Sequence, residues 1–299
     1  MAGPDLHGIF APIPTPFDEA GRILTDRLIE NCERCLASPL RGLVVGGSNG
    51  EFAFLTVEER LSVVTEVRRR VPADRLLIAG SGMEATSETI DVTRRMADAG
   101  ADGALVVTPS YYRGRMDGPT LVAHYEQVAD ASPIPVILYN VPANTAVDIS
   151  AEAVLELSHH ANVIGIKDSG GDVVKLSRMV AESAPGFQVL AGSAGFLLAA
   201  LAVGAVGAVA ALANIGADAM DSLSRAFHAG DGQAASAIQA RLQPINTAVT
   251  SRFGVPGLKA AMDVLGMYGG PPRRPLMPLK PEDRLVVREA LLRAQLLAA

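Results

Sequence analysis

Val163-Ile164-Gly165-Ile166-Lys167-Asp168-Ser169 is a short apolar run that ends in a lysine, an aspartate and a serine. Before Lys167 it shows no alternation of apolar and polar positions. That is the pattern of a strand buried on both faces, and hence of a parallel sheet. A lysine closing such a strand is rarely left unpaired. Burial penalises its charged form and lowers its pKa from the usual ~10.4. A drop of roughly three units is worth about 4 kcal/mol of differential solvation and yields an amine able to attack a carbonyl. Asp168 is badly placed to neutralise it, because successive strand side chains point to opposite faces. The competing reading is a lysine that snorkels from the strand end towards water. Only Lys167, Lys175, Lys259 and Lys280 are lysines in this arginine-rich chain, so one in an apolar strand stands out.

Similar runs recur on either side, at 9–13, 42–46, 76–79, 103–107, 136–139, 189–191 and 206–212. Helical segments separate them. One spans 56–70 and opens with Glu58, Glu59 and Arg60; another spans 88–99 and is stopped by Gly100. Eight βα units within about 230 residues predict an α/β protein, a (β/α)₈ TIM barrel. A doubly wound open sheet would want a glycine-rich phosphate turn after the first strand, where Ile13-Pro14-Thr15-Pro16-Phe17 stands instead. The barrel needs residues 1–229. Residues 230–299 read as a C-terminal helical extension packed on it, with helices at 231–242, 257–265 and 282–297 interrupted by Gly269-Gly270-Pro271-Pro272. The extension is also a candidate for oligomer contacts.

Of the 299 residues 49% are apolar and 19% charged, enough for a sizeable core. A net charge of −6 speaks against a nucleic-acid surface, which wants a basic patch. The uncharged stretch 194–214 is long enough to cross a bilayer. Gly195, Gly204 and Gly207 interrupt it, however, and it reads as a buried helix at 196–203, a turn at Gly204 and the eighth strand. No membrane segment is expected. The first residues carry no basic region followed by an apolar one, so a cytoplasmic location is expected. Cys32 and Cys35 form a lone CxxC inside a helix-like segment, with no second pair for zinc. His7, His124, His159, His160 and His228 are scattered without ligand spacing, so metal-independent chemistry with no cofactor is expected.

In a (β/α)₈ barrel the active site lies at the C-terminal ends of the strands. Lys167 ends strand six. Tyr139-Asn140-Val141-Pro142 ends strand five, and Gly46-Gly47-Ser48-Asn49-Gly50-Glu51 ends strand two. These segments can converge over one cavity. Tyr139 is a candidate proton shuttle for a carbinolamine at Lys167. A phenol with a pKa near ~10 needs an oriented neighbour for this, and Ser48 offers a hydroxyl. Against these stand a tyrosine with its hydroxyl in water and plain turn chemistry at Ser48-Asn49. A functional turn would offer N–H groups to a carboxylate. Gly46 to Gly50 also matches Gly-x-Ser-x-Gly, but no Ser…Asp…His order accompanies it. It lacks the Gly-Lys-Ser/Thr of a nucleotide loop.

Together, Gly47-Ser48-Asn49-Gly50-Glu51, Tyr139-Asn140-Val141-Pro142 and Gly165-Ile166-Lys167-Asp168-Ser169 resemble the dihydrodipicolinate synthase / N-acetylneuraminate lyase superfamily of class I aldolases. The resemblance runs over essentially the whole chain. It implies a Schiff-base lysine at Lys167, a proton-relay tyrosine at Tyr139 assisted by Ser48, and a carboxylate-binding turn at Ser48-Asn49. By the same resemblance Asn49 and Ser169 contact the substrate, Gly192 and Val209 line the pocket, and Tyr111 or Tyr112 contributes at a subunit boundary. The implied partners are a small 2-keto acid and copies of the same chain in a homotetramer, a dimer of dimers. Synthases of the superfamily carry two threonines where this chain has Ser48 and Asn49. They also carry an arginine shortly after the YNVP segment, where Asn144 stands here. That departure argues against condensation with aspartate semialdehyde. Arg113 and Arg115 are candidate replacements for the missing arginine. Segments 47–55, 107–116, 167–173, 190–197 and 252–259 resemble the 4-hydroxy-2-oxoglutarate aldolases, implying cleavage to pyruvate and glyoxylate. Another pyruvate-dependent lyase, dehydratase or condensing enzyme is the alternative. A non-catalytic keto-acid binder is disfavoured by the presence of both Lys167 and Tyr139.

Overall fold

The structure is a computed structural model that describes residues 3–298. Among them the strands are β1 Gly8–Pro12, β2 Gly42–Val45, β3 Leu76–Gly80, β4 Gly103–Val107, β5 Val136–Asn140, β6 Val163–Asp168, β7 Gln188–Ala191 and β8 Gly207–Val209. All neighbours are parallel, and β8 returns to β1 to close the barrel. Outside it run helices α1 Thr25–Leu36, α2 Val57–Arg68, α3 Thr86–Asp98, α4 Gly118–Ala131, the single turn α5 Pro142–Thr145, α6 Ala151–Leu157, α7 Val173–Glu182, α8 Leu197–Ala202 and α9 Ala213–His228. The extension follows as α10 Gly232–Thr247, a π-helical turn Ala248–Arg252, α11 Gly254–Val264 and α12 Pro281–Arg293. The chain is therefore the TIM barrel with a C-terminal helical appendage that its apolar runs predict.

Local chemistry explains where the helices begin. Thr56 and Glu59 form a capping box at the start of α2, each side chain bonding the other's backbone N–H. Asp117, Ser150, Asp172 and Asp231 cap α4, α6, α7 and α10 with side-chain oxygens on free N–H groups. Pleat parity splits the strands between two cores. Phe10, Val44, Ile78, Leu105, Ile137 and Leu190 fill the barrel interior. Ile9, Leu43, Leu77, Val106, Leu138 and Val189 face the helices.

Three details differ from the expectation, and one is the last helix, which ends at Arg293 rather than 297, two residues before Gln295 takes a left-handed φ of 57°. The eighth strand ends at Val209 rather than 212, because the Ala213 N–H bonds the Ala210 carbonyl at 3.0 Å and the chain turns into α9. A buried apolar run looks the same in sequence whether it extends a strand or opens a helix. In the extension, the first helix runs on to Thr247 through Pro244 before passing into the π turn. Pro244 supplies no N–H for the helical ladder, and the winding loosens just beyond it. Among the described residues no helix is long and apolar enough to cross a membrane.

Candidate active site

Lys167 is the penultimate residue of β6, and its register partner on β5 is Tyr139. Its inward direction depends on an irregularity. The β5–β6 register steps from Val136↔Val163 to Ile137↔Gly165, one extra residue on β6. Val163 faces the helices; regular alternation from it would turn Lys167 outward as well. The bulge resets the parity, so Lys167 shares the interior with Ile137 and Tyr139. Lys167 is 5% exposed, and its amine sits 4.0 Å from the centre of the Tyr139 ring.

Asp168 points the other way, as pleat parity requires. Its carboxylate, 1% exposed, accepts from Asn140 at 2.7 Å and lies 3.3 Å from the Lys175 amine. Lys175 also bonds Asp148 at 2.7 Å, and Asn140 donates to Asp148 at 2.6 Å. The Asn140 carbonyl accepts the Ser169 N–H at 2.8 Å, which sets the residue after Asp168 at the cavity rim. This network braces the ends of β5 and β6 from behind, and among the described residues it leaves Lys167 without a carboxylate partner.

The turn after β2 approaches from the far side. Gly46 has φ +65°, a left-handed conformation that redirects the chain beside Gly80 of β3. Ser48–Gly50 form a 3₁₀ turn closed by Gly50 N–H to Gly47 O at 3.0 Å and Glu51 N–H to Ser48 O at 3.1 Å. The N–H groups of Ser48 and Asn49, at the turn's start, have no carbonyl partner within it. The Ser48 hydroxyl lies 3.1 Å from that of Tyr139. The Asn49 side-chain nitrogen is buried yet makes no hydrogen bond among the described residues. An unpaired buried donor is costly, which suits a group waiting for an acceptor.

Lys167, Tyr139, Ser48, Asn49, Ser169, Gly192 and Val209 all line one cavity of about 660 Å³ at the C-terminal end of the barrel. Gly192 is there because nothing larger fits: a Cβ would stand 1.9 Å from the Ser169 hydroxyl and 2.8 Å from the Asp168 carbonyl. Asn144 also lines it, at the place where an arginine was sought. Among the described residues around the cavity, Lys167 is the one lysine, and no arginine, aspartate or glutamate joins it. The remaining candidates lie elsewhere. Tyr111 and Tyr112 are 79% and 72% exposed on the loop after β4, edge to face at 5.0 Å, outside this cavity. Arg113 and Arg115 sit on the same exposed loop. Glu84 anchors that loop, accepting the Ser110 and Tyr111 N–H groups, both at 2.9 Å. Burial opposes ionisation of Glu84, but these bonds outweigh it and hold the carboxyl below the usual range.

Sequence reasoning missed the wall that the extension supplies. Gln243, Asn246 and Thr247 of α10 and Val249, Thr250 and Ser251 of the π turn face the cavity. Asn246, 4% exposed, meets the Ser193 hydroxyl at 3.3 Å. It missed a buried ion pair behind the turn as well, between Glu51 and Lys259 of α11 at 2.6 Å. No local signal marks these residues, because periodicity reports which face is buried and not what it is buried against.

Comparison with known proteins agrees with this architecture. A model of the dihydrodipicolinate synthetase family matches residues 5–294. A 4-hydroxy-tetrahydrodipicolinate synthase of Methanothrix thermoacetophila is 37% identical over 287 residues, 96% of either chain. An uncharacterized DapA-like lyase of Halobacterium salinarum is 35% identical over 96% of this chain and 93% of its own. Among solved structures, a dihydrodipicolinate synthase from Bacillus anthracis superposes with a TM-score of 0.93 at 30% identity, covering 99% of both chains. YagE, an E. coli prophage protein of the dihydrodipicolinic acid synthase family in complex with pyruvate, gives 0.91 at 29% identity, covering 98% of this chain and 99% of its own.

Proposed function

The chain belongs to the dihydrodipicolinate synthetase family, a family of lyases acting on small keto acids, and from that premise we propose that it cleaves 4-hydroxy-2-oxoglutarate to pyruvate and glyoxylate. The observation that carries the chemistry is the amine of Lys167, on a side chain that is 5% exposed, lying 4.0 Å from the ring of a tyrosine whose hydroxyl is tied to Ser48. The free amine attacks the C2 carbonyl and forms a carbinolamine. Tyr139, oriented by Ser48, passes the protons that let water leave. The resulting iminium draws in the electron pair of the C3–C4 bond as the 4-hydroxyl gives up its proton. Glyoxylate departs and an enamine remains. Protonation at C3 and hydrolysis release pyruvate and return the amine.

The substrate is a dianion, and among the described residues no arginine lines the cavity to meet a second carboxylate. In this reading the C1 carboxylate lies on the Ser48-Asn49 turn. Asn49, with its free donor, and Ser169 hold the remaining carboxylate or the 4-hydroxyl. Asn144 in place of an arginine sets the reading apart from the synthase activity in the names of several relatives. That activity is the second reading, and those names are what favour it. The assembly proposed with this function is a cytoplasmic tetramer in which Tyr111 or Tyr112 meets a neighbouring subunit.

Racemic 4-hydroxy-2-oxoglutarate is to be incubated with the protein and with Lys167→Ala, and both products quantified. Equal pyruvate and glyoxylate, absent in the variant, support the proposal. No cleavage, together with consumption of aspartate semialdehyde and pyruvate, would transfer the assignment to the synthase. Borohydride with pyruvate should leave a reduced adduct at Lys167, and its absence from that residue would remove the Schiff-base role.

A further inference from the structure

Glu51 follows directly on the turn that carries Ser48 and Asn49, with its backbone in the left-handed region at φ 57°. Its side chain does not line the cavity. It runs behind the turn to Lys259 of α11, 2.6 Å away, and both side chains are 1% exposed. The other Glu51 oxygen accepts the Arg273 N–H at 2.7 Å. The Lys259 amine donates to the carbonyls of Thr15 at 2.8 Å and Pro271 at 3.0 Å and stands 4.5 Å above the Phe17 ring. Thr15 in turn gives its hydroxyl to the Gly50 carbonyl at 2.7 Å. Lys259 therefore grips the turn twice, through Glu51 beyond its end and through Thr15 beneath Gly50.

The other charged or titratable groups around the pair are accounted for. Arg273 makes a two-pronged bond to Glu59 of α2, at 2.7 and 2.8 Å. Asp263 of α11 accepts the Gly269 and Gly270 N–H groups, and the Tyr268 hydroxyl donates to the Phe17 carbonyl. Burial draws the Lys259 pKa down, while the charge of Glu51 holds it up. Without Lys259, Glu51 would be a dry carboxylate next to a turn read here as an anion site. In a low-dielectric interior it would repel the substrate carboxylate at short range.

We propose that Lys259 is a positioning residue for the carboxylate-binding turn: it cancels the charge of Glu51 and fixes Ser48–Gly50, so the C-terminal extension completes the anion subsite formed by the barrel. This rests on the reading of that turn as the seat of a substrate carboxylate. A purely structural strut would lower stability alone. The charge role has a distinct signature, because taking away the Glu51 charge together with Lys259 restores binding, which removing a strut would not do.

The test uses Lys259→Met, Glu51→Gln and the double variant. The readout is the pyruvate concentration that half-saturates borohydride trapping, as a ratio to the native protein. Lys259→Met is expected to raise that concentration about tenfold. The double variant, with no buried charge, should return to within about threefold. A double variant as poor as Lys259→Met overturns the proposal. Should Lys259→Met fail to fold, the double variant and Glu51→Gln decide the matter. Glu51→Gln leaves the turn without a neighbouring negative charge and is expected to bind pyruvate no more than about threefold more weakly; a larger loss in both overturns it. Amide hydrogen exchange of residues 48–52 reads the positioning without any substrate. It should quicken in Lys259→Met, and unchanged exchange overturns the positioning. If the native protein traps no pyruvate, the functional reading fails, while the exchange result still judges the strut.

Discussion

The hydroxyl oxygens of Ser48 and Tyr139 lie 3.1 Å apart, joining the turn after β2 to the end of β5 across the mouth of the barrel. The two strands are not neighbours in the sheet, so only closure of the barrel brings these groups within reach. Replacing Tyr139 by Phe is expected to lower kcat by about 10²- to 10⁴-fold, the usual worth of a positioned acid–base group. Ser48→Ala removes one neutral hydrogen bond and should cost about tenfold or less. Steady-state cleavage and the rate of borohydride trapping check both. A Ser48→Ala loss as deep as that of Tyr139→Phe would show that Ser48 does more than orient the phenol.

Gly192→Ala would force a methyl group to within 1.9 Å of the Ser169 hydroxyl. Because Gly192 donates its N–H to the Asp168 carbonyl at 2.7 Å, β7 cannot easily back away. Ser169 must rotate out, and KM for the substrate should rise at least about tenfold while the adduct with pyruvate still forms. Wild-type KM in this variant would remove Ser169 from the substrate's contacts.

His124 on α4 is 5% exposed, with one ring nitrogen on the Thr86 hydroxyl at 2.9 Å and the other unpaired among the described residues. Burial disfavours its charged form and lowers its pKa from 6.5 to about 4. Above pH 6.5 folded and unfolded chains both hold it neutral, and its contribution to stability is complete. As pH falls from 6.5 towards 4, the unfolded chain binds a proton that the folded one refuses, and about 3 kcal/mol is lost. His124→Phe should therefore flatten the fall of Tm across that interval. Parallel curves for the two proteins would refute the assignment.

Burial pushes the Cys35 thiol up to about 12, and burial, then the proximity of Cys35, raises that of Cys32 as well. Both are free and lie on the inner face of α1. Neither should react with a disulfide reagent at about pH 8 in the native state, and both should react once the chain is unfolded. Prompt native labelling with loss of activity would show that α1 opens in solution.

How much of this was readable in the linear chain differs from residue to residue. The eight apolar runs announce the barrel because each must be buried on both faces. Lys167 and Tyr139 are conspicuous because polar groups at such strand ends demand a reason. The step in register that turns Lys167 inward is silent, since Ile164 is an ordinary strand residue. Lys259 is more hidden still. Its partner lies far away along the chain, and within the helix expected at 257–265 nothing local marks Lys259 as a buried cation. Asn246 and Thr250 belong to a segment whose own pattern speaks only of packing, and Pro244 was the sole hint that the helix there is irregular.

The ion pair between Glu51 and Lys259 also imposes an order in time. On the ribosome, the turn at 48–50 emerges roughly two hundred residues before the lysine that braces it, a wait of about ten to forty seconds at ordinary elongation rates. A nascent chain that has already made all eight strands still lacks its brace. By the proposed reading of that turn, the keto-acid site beside Lys167 is therefore finished only once Lys259 has been made, and a product truncated before it carries Lys167 with an unbraced turn.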